Sequence, residues 1–233
     1  MDHDPRTSTL LEFADASARV AALSARIGRE LERALDARGH AVLAVSGGRS
    51  PVTLFEALRK LRLDWSRVVV TLVDERLVAN TDAHSNEALV RRHLLRDEAA
   101  QACLRGLVAP DRLELEHCVR RANARAAAPD VVVLGMGDDG HTASLFAHAQ
   151  GIEQAMDLRG APTYVGLVPS SAPHARISMS LRSLIAAPCL LLCIDGEVKR
   201  KVFESARREG ASAYPIARLL HHPGSRLETY WSP

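Results

Sequence analysis

The run VVVLGMGDDGHTASLF, residues 131–146, places glycines, aspartates and a histidine directly after an apolar segment. The two glycines that follow the apolar residues, Gly135 and Gly137, let the chain leave a buried strand in a tight loop. A histidine beside a carboxylate acts as a general base near neutral pH, because the acid orients the ring and stabilises its charged form. We interpret His141 as a catalytic base and Asp139 as its carboxylate, with Asp138 as the other candidate; a capping or surface histidine is the structural alternative.

A second glycine pair lies in SGGRSP, residues 46–51, again after an apolar run. Adjacent glycines allow the backbone to approach a ligand closely, and the unpaired N–H groups of a following helix attract an anion. Pro51 is a favoured first helical residue, and Ser50 is the expected N-cap. The segment predicts a phosphate-binding turn; a tight turn without a ligand is the alternative. The predicted binding residues are Ser46, Gly47, Gly48, Arg49 and Ser50.

Charged residues follow a third apolar run in the triplet DER, residues 74–76, and HSN follows at 84–86. A charged strand end in contact with solvent would explain the triplet alone. Its position at the same predicted sheet edge as the glycine turn favours a site containing Asp74, Arg76 and Asn86.

Two further cations are candidates for binding an anion. Arg176 begins a predicted strand, and Lys199 falls in the first turn of a predicted helix. A cation there opposes the helix dipole, so an anionic ligand would account for Lys199, as would simple solvation at the surface.

The elements that would position these residues alternate between strand and helix. Amphipathic or capped segments predict helices at 15–38, 51–61, 86–95, 112–127 and 196–208, with one opening at 142–146; short apolar runs predict strands at 41–45, 68–73, 131–135, 163–168, 175–181 and 189–194. Gly39 is the expected C-cap of the first helix, Asp111 with Glu114 forms a capping box, and Asp195 is an expected N-cap. This alternation predicts an α/β fold with a largely parallel sheet covered on both faces, whose ligands bind at the carboxyl ends of the strands.

The composition is that of a globular protein. The 233 residues are 47% apolar with a formal net charge of +2, so we expect a single domain over residues 1–233 with about the first ten residues flexible, and no electrostatic footprint for nucleic acid. The four cysteines lack metal-like spacing and are expected to be core thiols. No apolar run approaches the roughly 20 residues that span a bilayer, so we expect no membrane association and a cytoplasmic location.

Taken together, SGGRSP, DER, the Ser85-Asn86 pair and LGMGDDGHTASLF resemble the 6-phosphogluconolactonase family. The resemblance continues through PHARISMSL (173–181), GEVK (196–199) and the closing YWSP. It implies a Rossmann-like three-layer fold of the sugar-phosphate isomerase and deaminase type. It also implies hydrolysis of 6-phospho-D-glucono-1,5-lactone to 6-phosphogluconate, without a metal, nucleotide or other cofactor.

On this resemblance, we assign the substrate phosphate to the Gly47 and Gly48 backbone, Ser50, Arg176 and Lys199. His141 would deprotonate water, and Arg76 would offset the charge that develops on the lactone oxygens. Asp74 and Asn86 would hold hydroxyls or neighbouring side chains.

One position departs from the family pattern. Many lactonases have a lysine in an SPKPPPxR segment, whereas this chain has SSAPHAR at 170–176, with Ser171 about where the lysine would fall. We do not transfer the lysine's role to Ser171. Arg76 and Arg49 are the alternative sources of positive charge, and His174 is a weaker one.

Two other functions are kept open. Glucosamine-6-phosphate deaminases have a similar glycine loop and GxGxDGH, but they typically read DEY and GHIAFNEP where this chain has Arg76 and the run 143–146. A non-catalytic sugar-phosphate sensor would need a DNA-reading domain, and the N-terminal residues show no helix-turn-helix pair. The sequence does not indicate an oligomeric state.

Overall fold

The computed structural model describes residues 9–48, 50–210 and 214–233. The described residues form ten strands: β1 Thr9–Glu12, β2 Ala41–Val45, β3 Val68–Leu72, β4 Asp74–Arg76, β5 Cys103–Arg105, β6 Val131–Leu134, β7 Tyr164–Leu167, β8 Arg176–Met179, β9 Cys189–Asp195 and β10 Leu227–Ser232. They also form eight α-helices: α1 Ala16–Arg38, α2 Pro51–Leu58, α3 Asn86–His93, α4 Leu115–Ala124, α5 Ile152–Met156, α6 Leu181–Ile185, α7 Gly196–Glu209 and α8 Ala217–Leu220.

Seven strands form a parallel sheet in the order β1-β10-β9-β6-β2-β3-β5. All residues of the central strands β2 and β6 are buried, as expected when both faces of a parallel sheet are covered. The predicted α/β fold with a mainly parallel sheet is therefore confirmed. The sheet brings the carboxyl ends of β2, β6 and β9 to one edge.

A second sheet holds three antiparallel strands in the order β4-β8-β7. The segments predicted as strands at 163–168 and 175–181 are strands, but they lie in this small sheet and not in the parallel one. The triplet DER is likewise a strand of its own, and the amide of Met179 donates to the carbonyl of Val73 at 2.8 Å, which attaches the small sheet to the end of β3.

Two predicted helix ends are confirmed. Asp15 caps α1 by accepting from the Ala18 amide at 2.8 Å, and Gly39 ends that helix in the left-handed region at φ 76°. Pro51 begins α2 as expected, but Ser50 makes no capping hydrogen bond there. Asp195 precedes α7 and also makes no capping bond.

Three sequence predictions are wrong. No capping box begins α4: the bridge between Ala109 and Arg112 delays the helix to Leu115. No helix opens at 142–146, because Thr142 bridges to Met136 and Leu145. The first ten residues are not all loose, since β1 begins at Thr9 and pairs with β10; residues 1–8 lie outside the described part.

The cysteines differ in burial. Cys118, Cys189 and Cys193 are buried, which confirms the expected core thiols, but Cys103 on the edge strand β5 is exposed. Within the described residues, no helix combines the length and the hydropathy needed to cross a bilayer.

Candidate active site

A cleft of about 530 Å³ lies at the carboxyl ends of the parallel strands. Arg49 falls outside the described residues, and every other predicted site residue lines this cleft: Ser46, Gly47, Gly48, Ser50, Asp74, Arg76, Asn86, Asp139, His141, Arg176 and Lys199. The segments around residues 47, 75 and 140 therefore meet at one rim, as the positions after the strands predict.

His141 is oriented by Asp139. The ring Nδ1 lies 2.5 Å from Asp139 Oδ1, and the same oxygen accepts from the His141 amide at 3.2 Å. Burial raises the pKa of Asp139, but the hydrogen bond and charge of His141 outweigh it, so the net pKa lies below its usual value. Phe146 stacks on a face of the His141 ring, with centroids 4.1 Å apart. Because Nδ1 faces Asp139, Nε2 is the nitrogen left for a reacting group.

Glycine makes room for this pair. A Cβ on Gly137 would lie 2.3 Å from the ring of His141 and 2.7 Å from Asp139 Oδ1, closer than real Cβ contacts allow. The Gly137 amide donates to the His141 carbonyl at 2.9 Å, and the Gly140 amide donates to the Gly137 carbonyl at 3.0 Å. The glycines of this loop therefore permit both the tight turn and the approach of the imidazole.

The glycine turn after β2 packs directly against Asn86. A Cβ on Gly47 would lie 1.8 Å from Asn86 Oδ1, and Gly48 has φ 108°, where a side chain would be strained. Asn86 Nδ2 donates to the Asp74 carbonyl at 2.8 Å, and Asp74 Oδ2 accepts from Ser144 Oγ at 2.6 Å. Asp74 thus connects the glycine turn to the loop that carries His141.

Glu75 was not predicted as a site residue, yet its carboxylate holds the backbone around Arg76 and Asn86 in place. Its side chain is 1% exposed and accepts from the amides of Arg76, Asn86 and Glu87 and from Ser85 Oγ, at 2.7 to 3.0 Å. Burial raises the pKa of Glu75, and the four hydrogen bonds only partly counter it. The sequence signal was the acidic residue inside DER, which gave no indication that it points inward.

Arg76 and Arg176 face each other in the register of β4 and β8. Arg176 is 6% exposed, donates from Nη2 to the Pro173 carbonyl at 3.0 Å, and has a buried Nε with no partner among the described residues. Burial lowers the pKa of Arg176, and the charge of Arg76 lowers it further. Arg76 Nη1 donates to the His84 carbonyl at 2.5 Å.

Asp195, which the sequence indicated only as a helix cap, joins Ser50 to Lys199 at the edge of the cleft. Asp195 Oδ1 accepts from Ser50 Oγ at 2.9 Å and from Lys199 Nζ at 3.4 Å. Burial raises the pKa of Asp195, but the Ser50 hydrogen bond and the Lys199 charge outweigh that effect, so the net pKa lies below its usual value. Ser46 Oγ, nearby in the cleft lining, is buried without a partner among the described residues.

The segment that departs from the family pattern also reaches the cleft. Ser171 and Ala172 line it, whereas His174 does not. The ring of His174 instead lies beside that of His84, with centroids 5.4 Å apart. His174, the weaker candidate for the missing positive charge, therefore does not line the cleft, whereas Arg76 does.

Comparison with known proteins places the chain in a family. A family model described as "Glucosamine-6-phosphate isomerases/6-phosphogluconolactonase" matches residues 14–231. The 6-phosphogluconolactonase of Pseudomonas aeruginosa is 41% identical over 226 residues, covering 95% of this chain and 93% of its own, and that of Neisseria meningitidis serogroup A is 39% identical over 225 residues, covering 95% and 97%. The crystal structure of a 6-phosphogluconolactonase from Shewanella baltica OS155 superposes with a TM-score of 0.89 at 35% identity, covering 97% of this chain and 98% of that one. This chain therefore belongs to the glucosamine-6-phosphate isomerase/6-phosphogluconolactonase family.

Proposed function

We propose that this protein hydrolyses 6-phospho-D-glucono-1,5-lactone to 6-phosphogluconate, a step of the pentose phosphate pathway. The observation that carries the proposal is the Asp139–His141 pair, which lines the same cleft as a glycine turn and three cationic side chains. The relatives named 6-phosphogluconolactonase over nearly the whole chain support the same reaction.

The cleft offers one region suited to the phosphate. Gly47 and Gly48 line the cleft in the turn before α2, where their backbone N–H groups would bind an anion. Ser50 and Lys199 line the same cleft and share Asp195 as their acceptor. Arg176 adds a buried guanidinium with an unpaired Nε. Anchoring the phosphate there would fix the sugar ring relative to His141. Holding the reacting groups in a productive orientation lowers the reaction barrier.

The reacting atoms would meet at His141. Nε2 takes a proton from a water molecule as its oxygen adds to the lactone carbonyl carbon, which gives a tetrahedral intermediate with a negative oxygen. Arg76 is the cation assigned to that charge. When the bond to the ring oxygen breaks, the imidazolium returns the proton to the leaving alkoxide. Asp139 stabilises the charged ring throughout.

The contacts of Asp74 and Asn86 favour a supporting role over direct chemistry. Asp74 is 7% exposed and its carboxylate accepts from Ser144, while Asn86 is held between Asp74 and Gly47. We propose that both residues position the glycine turn and the loop that carries His141. Each also has one polar side-chain atom left that can contact the sugar.

The deaminase alternative needs an acidic residue shortly after the histidine. Residues 143–146 read ASLF, and Ser144 is already bonded to Asp74. No carboxylate in that run is available to assist ring opening, so lactone hydrolysis is favoured.

The test offers the purified protein fresh phosphorylated lactone and, separately, glucosamine 6-phosphate. Acid release above the spontaneous background is expected with the first substrate, and no ammonia with the second. His141→Ala should keep product binding while lowering kcat by about 10²- to 10⁴-fold, the contribution of a general base. A sensor would release neither acid nor ammonia, and an unchanged kcat in His141→Ala would exclude His141 as the base.

A further inference from the structure

The residues proposed to bind the phosphate include Ser50 and Lys199, and one acidic side chain, Asp195, contacts both of them. Asp195 ends β9, directly before Gly196 and the first turn of α7. A single oxygen, Oδ1, accepts from both the Ser50 hydroxyl and the Lys199 ammonium. Ser50 lies 145 positions earlier in the sequence, so this carboxylate joins the turn after β2 to the helix after β9.

A helix-capping role does not account for this arrangement. Asp195 makes no side-chain hydrogen bond to the amides of α7, and its carboxylate turns toward Ser50 and Lys199 instead. Lys199 opposes the dipole of its own helix, so without a counter-charge its ammonium would be displaced from the helix N-terminus. The contact with Asp195 offsets that penalty and limits the positions open to the flexible lysine side chain.

Resting on the function proposed above, we infer that Asp195 is a positioning residue for phosphate binding, which holds the Ser50 hydroxyl and the Lys199 ammonium beside the glycine turn before the substrate arrives. The phosphate oxygens then accept hydrogen bonds from donors that are already in position, so less side-chain entropy is lost on binding. Asp195 is not in the cleft lining and acts through its two partners.

Two variants of Asp195 separate its geometry from its charge. Asp195→Ala removes the acceptor, whereas Asp195→Asn keeps an oxygen that can still accept from Ser50 and Lys199. Glu197→Ala is the matched control, because Glu197 is an exposed acidic residue in the first turn of the same helix. It reproduces the loss of a favourable charge at the helix N-terminus without touching Ser50 or Lys199.

The experiment measures the Kd of inorganic phosphate by calorimetry, the KM and kcat for phosphorylated lactone, and the melting temperature of each variant. For Asp195→Ala we expect the phosphate Kd and the KM to rise about tenfold, equivalent to about 1.4 kcal/mol, with kcat within about twofold of wild type. Asp195→Asn should lose less affinity than Asp195→Ala, and Glu197→Ala should match wild type in both constants.

A purely structural role would lower the melting temperature and kcat without a selective loss of phosphate affinity. An unchanged or smaller phosphate Kd in Asp195→Ala would overturn the inference. The phosphate Kd is measured without turnover. If wild type failed to hydrolyse the lactone, the proposed reaction would be contradicted, but the phosphate Kd of the variants would still test the role of Asp195.

Discussion

Arg76 and Arg176 lie directly opposite each other in the antiparallel pair formed by β4 and β8. Like charges directly opposite each other destabilise a sheet. Arg176 is also buried, with an unpaired Nε. Both cations line the cleft, and their proximity supports the proposal that each binds a negative group of the substrate, Arg176 the phosphate and Arg76 the lactone oxygen.

Replacing Arg176 should therefore separate stability from function. In Arg176→Met we expect the free energy of unfolding to rise by about 1 kcal/mol, because a poorly compensated buried charge is replaced by an apolar side chain. We expect the KM for phosphorylated lactone to rise at least about tenfold, because a charge-assisted bond to the phosphate is lost. Urea unfolding and initial-rate kinetics measure the two effects.

The control for this variant is Arg159→Met, which removes an exposed arginine outside the cleft. Added phosphate should stabilise wild type and Arg159→Met but have little effect on Arg176→Met. Lower stability together with an unchanged KM would contradict the assignment of Arg176 to the phosphate.

Glu75 should matter for stability more than any other carboxylate of the site. Glu75→Ala leaves three backbone amides and the Ser85 hydroxyl without their acceptor, and each buried unpaired donor costs on the order of 1–3 kcal/mol. We expect a loss of several kcal/mol in urea unfolding. Glu56→Ala, which removes a half-exposed carboxylate on α2, should cost far less. Equal losses in the two variants would show that the network around Glu75 contributes little.

The parallel core could be predicted from the sequence because its signal is local. The continuous apolar runs of β2 and β6, the helical spacing of the 15–38 segment and its C-cap Gly39 each follow from a few neighbouring residues. The glycine turn and the GxGxDGH run both follow strands of one sheet, which predicted that these two segments would meet at one cleft.

The failures of prediction have a different origin. The 142–146 run has a plausible helical composition, but Thr142 bridges to Met136 and Leu145 within the loop, and Ala143 takes φ 52°. Ser144 is also held by distant residues, Asp74 and Ser178, so these contacts override the local preference for a helix. The partners of Asp195 and Glu75 depend on contacts between distant segments, which no periodicity reveals. Edge strand β1 was missed because only part of it is buried.

The pairing of Asp139 with His141 predicts a specific dependence of stability on pH. The folded-state pKa of Asp139 lies below its ordinary value of 3.8, so its ionised form stabilises the fold above that pH. This contribution is lost as the pH falls through the lower folded-state pKa. The stability difference between wild type and Asp139→Asn should thus shrink as the pH falls below about 4.

Urea unfolding at several pH values measures this difference. Asp138→Asn is the matched control, because Asp138 is the adjacent carboxylate and has no hydrogen bond to His141 among the described residues. We expect its difference from wild type to vary less with pH. A wild-type advantage over Asp139→Asn that persists undiminished at about pH 3 would contradict the ion-pair interpretation.

Gly137 provides the sharpest test of whether the position of the imidazole limits the rate. A Cβ at residue 137 would lie 2.3 Å from both Nδ1 and Cε1 of His141, so Gly137→Ala must displace the ring or its Asp139 partner. A displacement of about 1 Å in a catalytic group can lower the rate by about 10²-fold. We expect kcat to fall by that order while the KM, which depends on the proposed phosphate-binding residues, changes little.

Gly135→Ala is the matched variant in the same loop, because a Cβ there meets no atom within 4 Å. Its kcat should stay much closer to that of wild type, although both changes stiffen the unfolded chain equally. Comparable losses in the two variants would mean that loop flexibility, and not the space reserved for His141, explains why glycine is needed at residue 137.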